Sequence, residues 1–264
     1  MRIIVIILLF LACFTVGFVY FDYQNYLDEL NQETVNSSDI PSEQFQDPEI
    51  ELPETTYSDS DLTFVVGEFD LEIFYDPKNS KTLKTLAAEA NYDYLINGGF
   101  FTQTLTYAGG LIIDGEIENN LAPLDKQLSH MFINAGNYGV VETSNYNLQS
   151  NHPLAFQTGP LIINQDIVQD KFINAALNGT GDYIRSFLGY TNSGKLLFGI
   201  TKKRMSLFEL AEKLLKNPDL QSENITIINL DGGTSTALFS KDQSKINYGE
   251  FKTLPILLGF RRNL

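Results

Sequence analysis

Tryptophan is absent from this 264-residue chain, which has one cysteine, Cys13, and two histidines, His130 and His152. A single cysteine forms no intrachain disulfide, and its place near the amino terminus leaves the bulk of the chain without a thiol nucleophile or a Cys-based metal site. Two histidines outside any ligand spacing give no support to a His-based zinc centre or a Ser-His-Asp triad, and no residue pattern calls for a metal or a cofactor. Basic residues are scarce too, with 18 Lys and Arg against 33 Asp and Glu and a formal net charge of −15. That deficit is local. Residues 22–61 hold twelve Asp/Glu and no Lys or Arg, so with Arg2 set aside residues 62–264 carry only −4. A body that is mildly acidic overall argues against nucleic acid as its main ligand, because that binding relies on clustered Lys and Arg neutralising phosphates. Small anions need only one or two well-placed arginines and stay within reach.

What is present begins with an apolar run, "IIVIILLFLACFTVGFVYF" at residues 3–21, preceded by Arg2. It approaches the ~20 residues that cross a bilayer as a helix, and nothing like a small-residue cleavage site follows. The sequence therefore predicts an uncleaved single-pass anchor over 1–21, with the amino terminus inside and the rest outside the cytoplasm. Residues 22–61 are acidic, rich in Ser, Asn, Gln and Glu, and punctuated by Pro41, Pro48 and Pro53. Such composition cannot bury enough surface to offset its ordering entropy, so a disordered spacer is expected there, ahead of one domain over 62–264.

The body alternates strand and helix signals. "LTFVVG" (62–67), "DLEIFY" (70–75), "YLIN", "GLIIDGEI", "HMFIN", "YGVVE", "PLIINQDIV" and "KLLFGIT" read as short strands, with hairpin turns at Asp114-Gly115 and Ser193-Gly194. Residues 79–90 read as a helix behind an Asn79/Ser80 cap. "SLFELAEKLLK" (206–216) is the clearest helix, with Ser206 and Glu209 as a capping box and Leu207, Leu210, Ala211, Leu214 and Leu215 as its buried stripe. The near-continuous apolar strand "NITIINL" that follows is expected to be interior, covered on both faces. The fold class expected is α+β, with mixed, mainly antiparallel β-sheets and a few packed helices.

Three apolar strands end in the same kind of break. "INLDGGTSTALF" interrupts a strand with Asp231, Gly232, Gly233, Thr234 and Ser235; "YLINGGFF" does so with Asn97, Gly98, Gly99 and Phe100; "AFQTGPLII" does so with Gln157, Thr158, Gly159 and Pro160. A carboxylate at the end of an interior strand sits on a rigid support, and the glycines permit positive φ or close approach of a ligand. Each break read alone is equally an ordinary turn. Arg185 lies in the otherwise apolar "DYIRSFLGY". It is either the partner of a core carboxylate, with Asp231 a candidate, or a two-point fork for phosphate.

The order "INGGFF", "GGLIIDGEI", "FQTGPLIINQDIV", "IRSFLGYTNSGKLLFGIT", "MSLFELAEKLL" and "INLDGGTSTALF" resembles the phosphodiester glycosidase family over roughly residues 62–262. The resemblance implies hydrolysis of the glycosidic C–O bond of a sugar-1-phosphodiester, here in a cell-envelope glycan or glycolipid such as an exopolysaccharide. It implies Asp231 as nucleophile or general base and Arg185 as phosphate clamp. Asn97, Gly98, Gly99, Phe100, Gln157, Thr158, Gly159, Gly232, Gly233, Thr234 and Ser235 are implied around the substrate. Thr234 departs from the Gly or Ser expected after the two glycines, which bears on substrate fit. A non-catalytic glycan-binding or envelope-scaffold module is the alternative, and turnover of a sugar-1-phosphodiester panel separates the two.

Overall fold

The computed structural model describes residues 54–123, 125, 127–149, 151–169, 182–242 and 246–262. The apolar run at 3–21 and the acidic stretch up to residue 53 lie outside them. Among the described residues no helix is long and apolar enough to cross a membrane.

In chain order the strands are β1 (Thr55–Ser58), β2 (Leu62–Gly67), β3 (Phe69–Tyr75), β4 (Tyr94–Asn97), β5 (Leu111–Ile113), β6 (Glu116–Asn119), β7 (His130–Asn134), β8 (Tyr138–Glu142), β9 (Leu154–Thr158), β10 (Leu161–Asn164), β11 (Ile167–Val168), β12 (Ser186–Tyr190), β13 (Leu196–Thr201), β14 (Thr226–Asn229), β15 (Leu238–Ser240), β16 (Asn247–Tyr248) and β17 (Ile256–Arg262). Helix α1 (Leu83–Ala90) lies between β3 and β4, and α2 (Leu207–Leu215) between β13 and β14. The strands form a seven-stranded sheet, β1-β2-β13-β12-β14-β10-β11, and two five-stranded sheets, β16-β15-β4-β17-β3 and β6-β5-β9-β7-β8. The class is α+β as expected, and the sheets are mainly antiparallel. The strand pairings described, β1·β2 and β12·β14 among them, run antiparallel, so the expected parallel component is not seen among the described residues.

One apolar cluster joins the inner faces of all three sheets: Val65, Phe198, Ile228 and Leu230 from the first, Tyr94, Leu258 and Phe260 from the second, Phe132 and Phe156 from the third. Alternation along the strands sends their other residues outward. On the outer face of the seven-stranded sheet, Phe64, Phe187, Leu197 and Ile227 pack against Leu207, Leu210, Ala211 and Leu214 of α2. On the outer face of the second sheet, Leu95 and Leu257 pack against Leu83, Leu86 and Ala87 of α1. Strand β14 is thus apolar on both faces because α2 covers the side that an exposed antiparallel sheet leaves to water.

The capping box at Ser206 and Glu209 forms as the sequence predicts. The cap of α1 does not fall at Asn79/Ser80. Thr82 is the N-cap, its hydroxyl accepting from the Thr85 N–H, while the Asp76 carboxylate takes up the N–H groups of Lys78 and Ser80 in a preceding turn. Residues 55–58, inside the stretch expected to be spacer, are the edge strand β1. Tyr57 stacks on Phe64 with ring centres 4.9 Å apart, and Lys203 and Lys213 both pair with Asp61 in the following turn. Acidic residues at the end of that stretch therefore meet partners supplied by distant sequence, which composition does not reveal.

Candidate active site

The three polar-glycine breaks meet at one place. Past β14, the Leu230 N–H bonds the carbonyl of Ser186 at 2.9 Å, and the Asp231 N–H bonds the carbonyl of Gly98 at 3.2 Å, so the chain passes from the first sheet onto the end of β4 in the second. Asn97 secures that passage. Its Nδ2 donates to the Asp231 carbonyl at 2.6 Å, while its Oδ1 accepts from Ser186 Oγ at 2.7 Å and from the Ala237 N–H at 3.1 Å. The third sheet joins through Thr158, whose hydroxyl donates to the Asn229 carbonyl at 2.9 Å, and through Gly159, whose carbonyl accepts from Asn229 Nδ2 at 3.1 Å.

Glycine is required here by close approach. A Cβ on Gly99 would collide with the Tyr107 hydroxyl, and one on Gly232 would lie 2.8 Å from the Ile184 carbonyl oxygen. Gly233 adopts φ +61°, and its N–H bonds that same Ile184 carbonyl at 2.8 Å. The Asp231–Gly233 turn is therefore laid directly on the segment that carries Arg185.

The Asp231 carboxylate accepts from the Gly232 N–H at 2.8 Å and from Ser235. Burial pushes its pKa above the ordinary carboxylate value despite those two donors, which pull the other way. Arg185 is half-buried. Its Nε donates to the Met205 carbonyl at 3.0 Å, and its guanidinium lies 5.2 Å from the centre of the Tyr183 ring. An isolated bridge between Tyr183 and Met205 holds this segment against the one that leads into α2. Lys252 fixes the far side of the site by donating to the carbonyls of Thr234 and Thr236.

These groups open onto a cavity of about 660 Å³, lined among others by Phe100, Gly159, Arg185, Asp231, Gly232, Gly233 and Thr234. Asp231 is the one carboxylate in its described lining. A rigid carboxylate and a guanidinium fork lining one cavity are a suitable arrangement for holding an anion near a reacting centre.

Residues 90–260 match the family model for phosphodiester glycosidases. The chain belongs to the phosphodiester glycosidase family. Its fold is similar to that of the zebrafish N-acetylglucosamine-1-phosphodiester α-N-acetylglucosaminidase catalytic domain, auto-inhibited by pro-peptide, with a TM-score of 0.56 and 16% identity over 80% of this chain and 82% of that one. It is also similar to a hypothetical protein from Synechocystis, with a TM-score of 0.53 and 13% identity over 79% of this chain and 61% of that one. At those identities the likeness speaks to the fold alone. Comparison with curated protein sequences finds no match.

Within this phosphodiester glycosidase, the residues named from the sequence separate into two groups. Asp231, Arg185, Phe100, Gly159, Gly232, Gly233 and Thr234 line the cavity. Asn97, Gly98, Gly99, Gln157, Thr158 and Ser235 stand behind it. Asn97 is 2% exposed and its amide is fully engaged within the fold. Gln157 is fully buried, its Oε1 accepting from the N–H groups of Gly110 and Ala122 and its Nε2 donating to the carbonyls of Ala122 and Leu128. The structure places these two amides as braces between strand ends rather than as contacts to a ligand. Sequence reasoning missed Gln127, Tyr183, Arg204, Leu207 and Asn229, which also line the cavity. Tyr183 sits two residues before Arg185, and Arg204 ends a basic run, "KKR", that was the available signal.

Proposed function

We propose that this protein hydrolyses the C–O bond between the anomeric carbon of a sugar and a phosphodiester. The observation that carries the reading is that the Asp231 carboxylate, at the end of a buried strand, and Arg185, whose backbone lies against the same turn, both line one cavity. Ordinary glycosidases place two carboxyl groups about the scissile bond, one to protonate a poor alkoxide leaving group. A phosphate monoester leaves far more readily, since its second pKa is about 6. One carboxylate then suffices, in keeping with the lone acid in the described lining.

In the step proposed, Arg185 holds the phosphate oxygens and Asp231 faces the anomeric carbon. The C1–O bond breaks, the electron pair leaves with the phosphate monoester, and water supplies the new hydroxyl. Asp231 either takes the proton from that water or attacks first and is released by water, and the configuration of the first-formed sugar separates the two routes. The substrate proposed is a cell-envelope glycan or glycolipid. The chain would be held by residues 3–21 as a single-pass anchor, with 22–53 as spacer and the body outside the cytoplasm.

Hydrolysis in oxygen-18 water tests the chemistry. The phosphate product is expected to be unlabelled, because water attacks carbon; label in the phosphate would mean P–O cleavage and would take Asp231 away from the anomeric carbon. Protease added to intact spheroplasts tests the location, with release of a soluble fragment cut N-terminal to β1 expected. A protected body would defeat the anchored, outward-facing arrangement.

A further inference from the structure

The basic run Lys202, Lys203 and Arg204 is divided by the fold. Lys202 Nζ donates to Ser58 Oγ at 2.7 Å and to the Asp59 carbonyl at 2.6 Å, and Lys203 pairs with Asp61 at 2.5 Å. Both lysines thus tie down the β1–β2 turn. Arg204 takes the other direction and lines the cavity, its Nε donating to the Asp182 carbonyl at 2.8 Å.

Two guanidiniums share one aromatic ring there. The Cζ of Arg204 lies 5.5 Å from the centre of the Tyr183 ring and that of Arg185 lies 5.2 Å from the same centre, so both cations stand against one ring. Arg185 is half-buried, with its backbone against the Asp231–Gly232 turn, and Arg204 is exposed. Leu207, the first residue of α2, lines the cavity too, and that helix end is closed by the Glu209 carboxylate, which accepts from the Ser206 N–H at 2.8 Å. Asp182 supplies its carbonyl to Arg204, and its carboxylate, outside the described lining, acts on Arg185 by favouring the charged guanidinium.

A phosphodiester carries one negative charge, which a single planar guanidinium fork can hold in two parallel hydrogen bonds. Along residues 182–185, the Asp231–Gly233 turn meets Ile184 and Arg185, whereas Arg204 bonds the Asp182 carbonyl at the other end. With the anomeric carbon at Asp231 and its phosphate at Arg185, Arg204 falls on the leaving-group side, beyond the scissile phosphate. We propose that Arg204 and Tyr183 form a second anion subsite, and that the substrate is a glycosyl phosphodiester whose aglycone carries an anionic group of its own, a phosphate or a carboxylate. This rests on the C–O hydrolysis proposed above and adds the class of aglycone to it.

The test uses the full-length chain and two probes with the same sugar, N-acetylglucosamine 1-(methyl phosphate) and N-acetylglucosamine 1-(2-phosphoethyl phosphate). Wild type is expected to favour the 2-phosphoethyl ester in kcat/KM by about tenfold or more, the size of one charge-assisted hydrogen bond. In Arg204→Gln that ratio falls toward one, and Arg204→Lys, which keeps the charge, retains part of it. A wild-type ratio near one overturns the proposal. So does an Arg204→Gln ratio equal to that of wild type, which would mean that a group other than Arg204 reads the second phosphate. Calorimetric titration with inorganic phosphate and with pyrophosphate gives a readout free of turnover. Tighter pyrophosphate binding that Arg204→Gln abolishes supports the subsite even where neither ester is cleaved, a result that would count against the hydrolysis alone. Equal affinity of wild type for the two anions removes the subsite.

Discussion

Asn97 gives the sharpest test of how the site is built. Substitution by alanine removes an amide that donates to the Asp231 carbonyl and accepts from Ser186 Oγ and the Ala237 N–H, in a position 2% exposed. The Ser186 hydroxyl can rotate toward another acceptor, and Gly98 keeps the Asp231 N–H. Two buried backbone groups, the Asp231 carbonyl and the Ala237 N–H, are left without that partner at about 1–3 kcal/mol each, or about 2–6 kcal/mol in all. That is a large part of the ~5–15 kcal/mol that holds an ordinary domain folded. Urea unfolding of a chain beginning at Leu52, where the compact unit starts, measures it by far-UV circular dichroism, since the chain has no Trp to report by fluorescence. Asn97→Asp is expected to be as damaging at neutral pH, because a carboxylate oxygen then faces the Asp231 carbonyl, and to recover on acidification as the acid regains a proton to donate. A ligand contact would behave in the opposite way, losing activity while stability held. Should Asn97→Ala unfold within about 0.5 kcal/mol of wild type, the range of an ordinary surface substitution, the brace reading is wrong.

Asp231→Asn is expected to fold and to lose at least about 100-fold in activity, the lower end of an acid/base role. The same variant is expected to be more stable than wild type at neutral pH: burial raises the Asp231 pKa, so the protonated form is favoured in the folded chain and stability drains away as pH rises from the unfolded carboxylate value through the folded one. Denaturation midpoints across pH check the sign, and a wild type that gains stability over that window contradicts it. Ser235→Ala removes a donor that pulls the pKa down, so the acid limb of kcat/KM is expected to move to higher pH; a limb that moves lower rules out Ser235 as a stabiliser of the carboxylate. A chain begun at residue 62 loses β1, the Tyr57–Phe64 stack and the Glu54–Arg262 ion pair. At about 2–3 kcal/mol for a short ladder and a ring pair, and about 2–4 °C per kcal/mol for a domain this size, its Tm is expected about 5–10 °C below that of a chain begun at Leu52. Equal Tm values would show β1 to be dispensable.

Much of this was legible locally. The capping box, the Asp114-Gly115 and Ser193-Gly194 turns and the interior character of 224–230 all follow from short-range pattern, because each depends on residues a few positions apart. The breaks at Asn97, Gln157 and Asp231 were legible as breaks. Which of their side chains face a ligand was not, since Asn97 and Gln157 are committed to carbonyls and N–H groups supplied by strands up to 140 residues away. The same limit explains Arg204. A run of three cations looks uniform until the turn at 58–61 is known to be ordered, for that turn engages the two lysines and leaves the arginine for the cavity.

The braces and the carboxylate belong to one argument. A carboxyl group raised in pKa by burial is under an electrostatic load in its ionised form, and a strand end under such a load frays toward water unless the backbone beside it is held. Asp231 is held by three sheets at once: Ser186 and β12 behind it, Asn97 and Gly98 across it, and Thr158 and Gly159 on Asn229 two residues before it. Each brace acts on backbone or on a neighbouring residue, none on the carboxylate oxygens, which are left to Gly232, Ser235 and the cavity. The carboxylate therefore keeps an open face while its support is fully hydrogen-bonded. For a reaction that depends on one acid, that division leaves reactivity and stability separable: the braces are expected to govern unfolding, and Asp231 turnover.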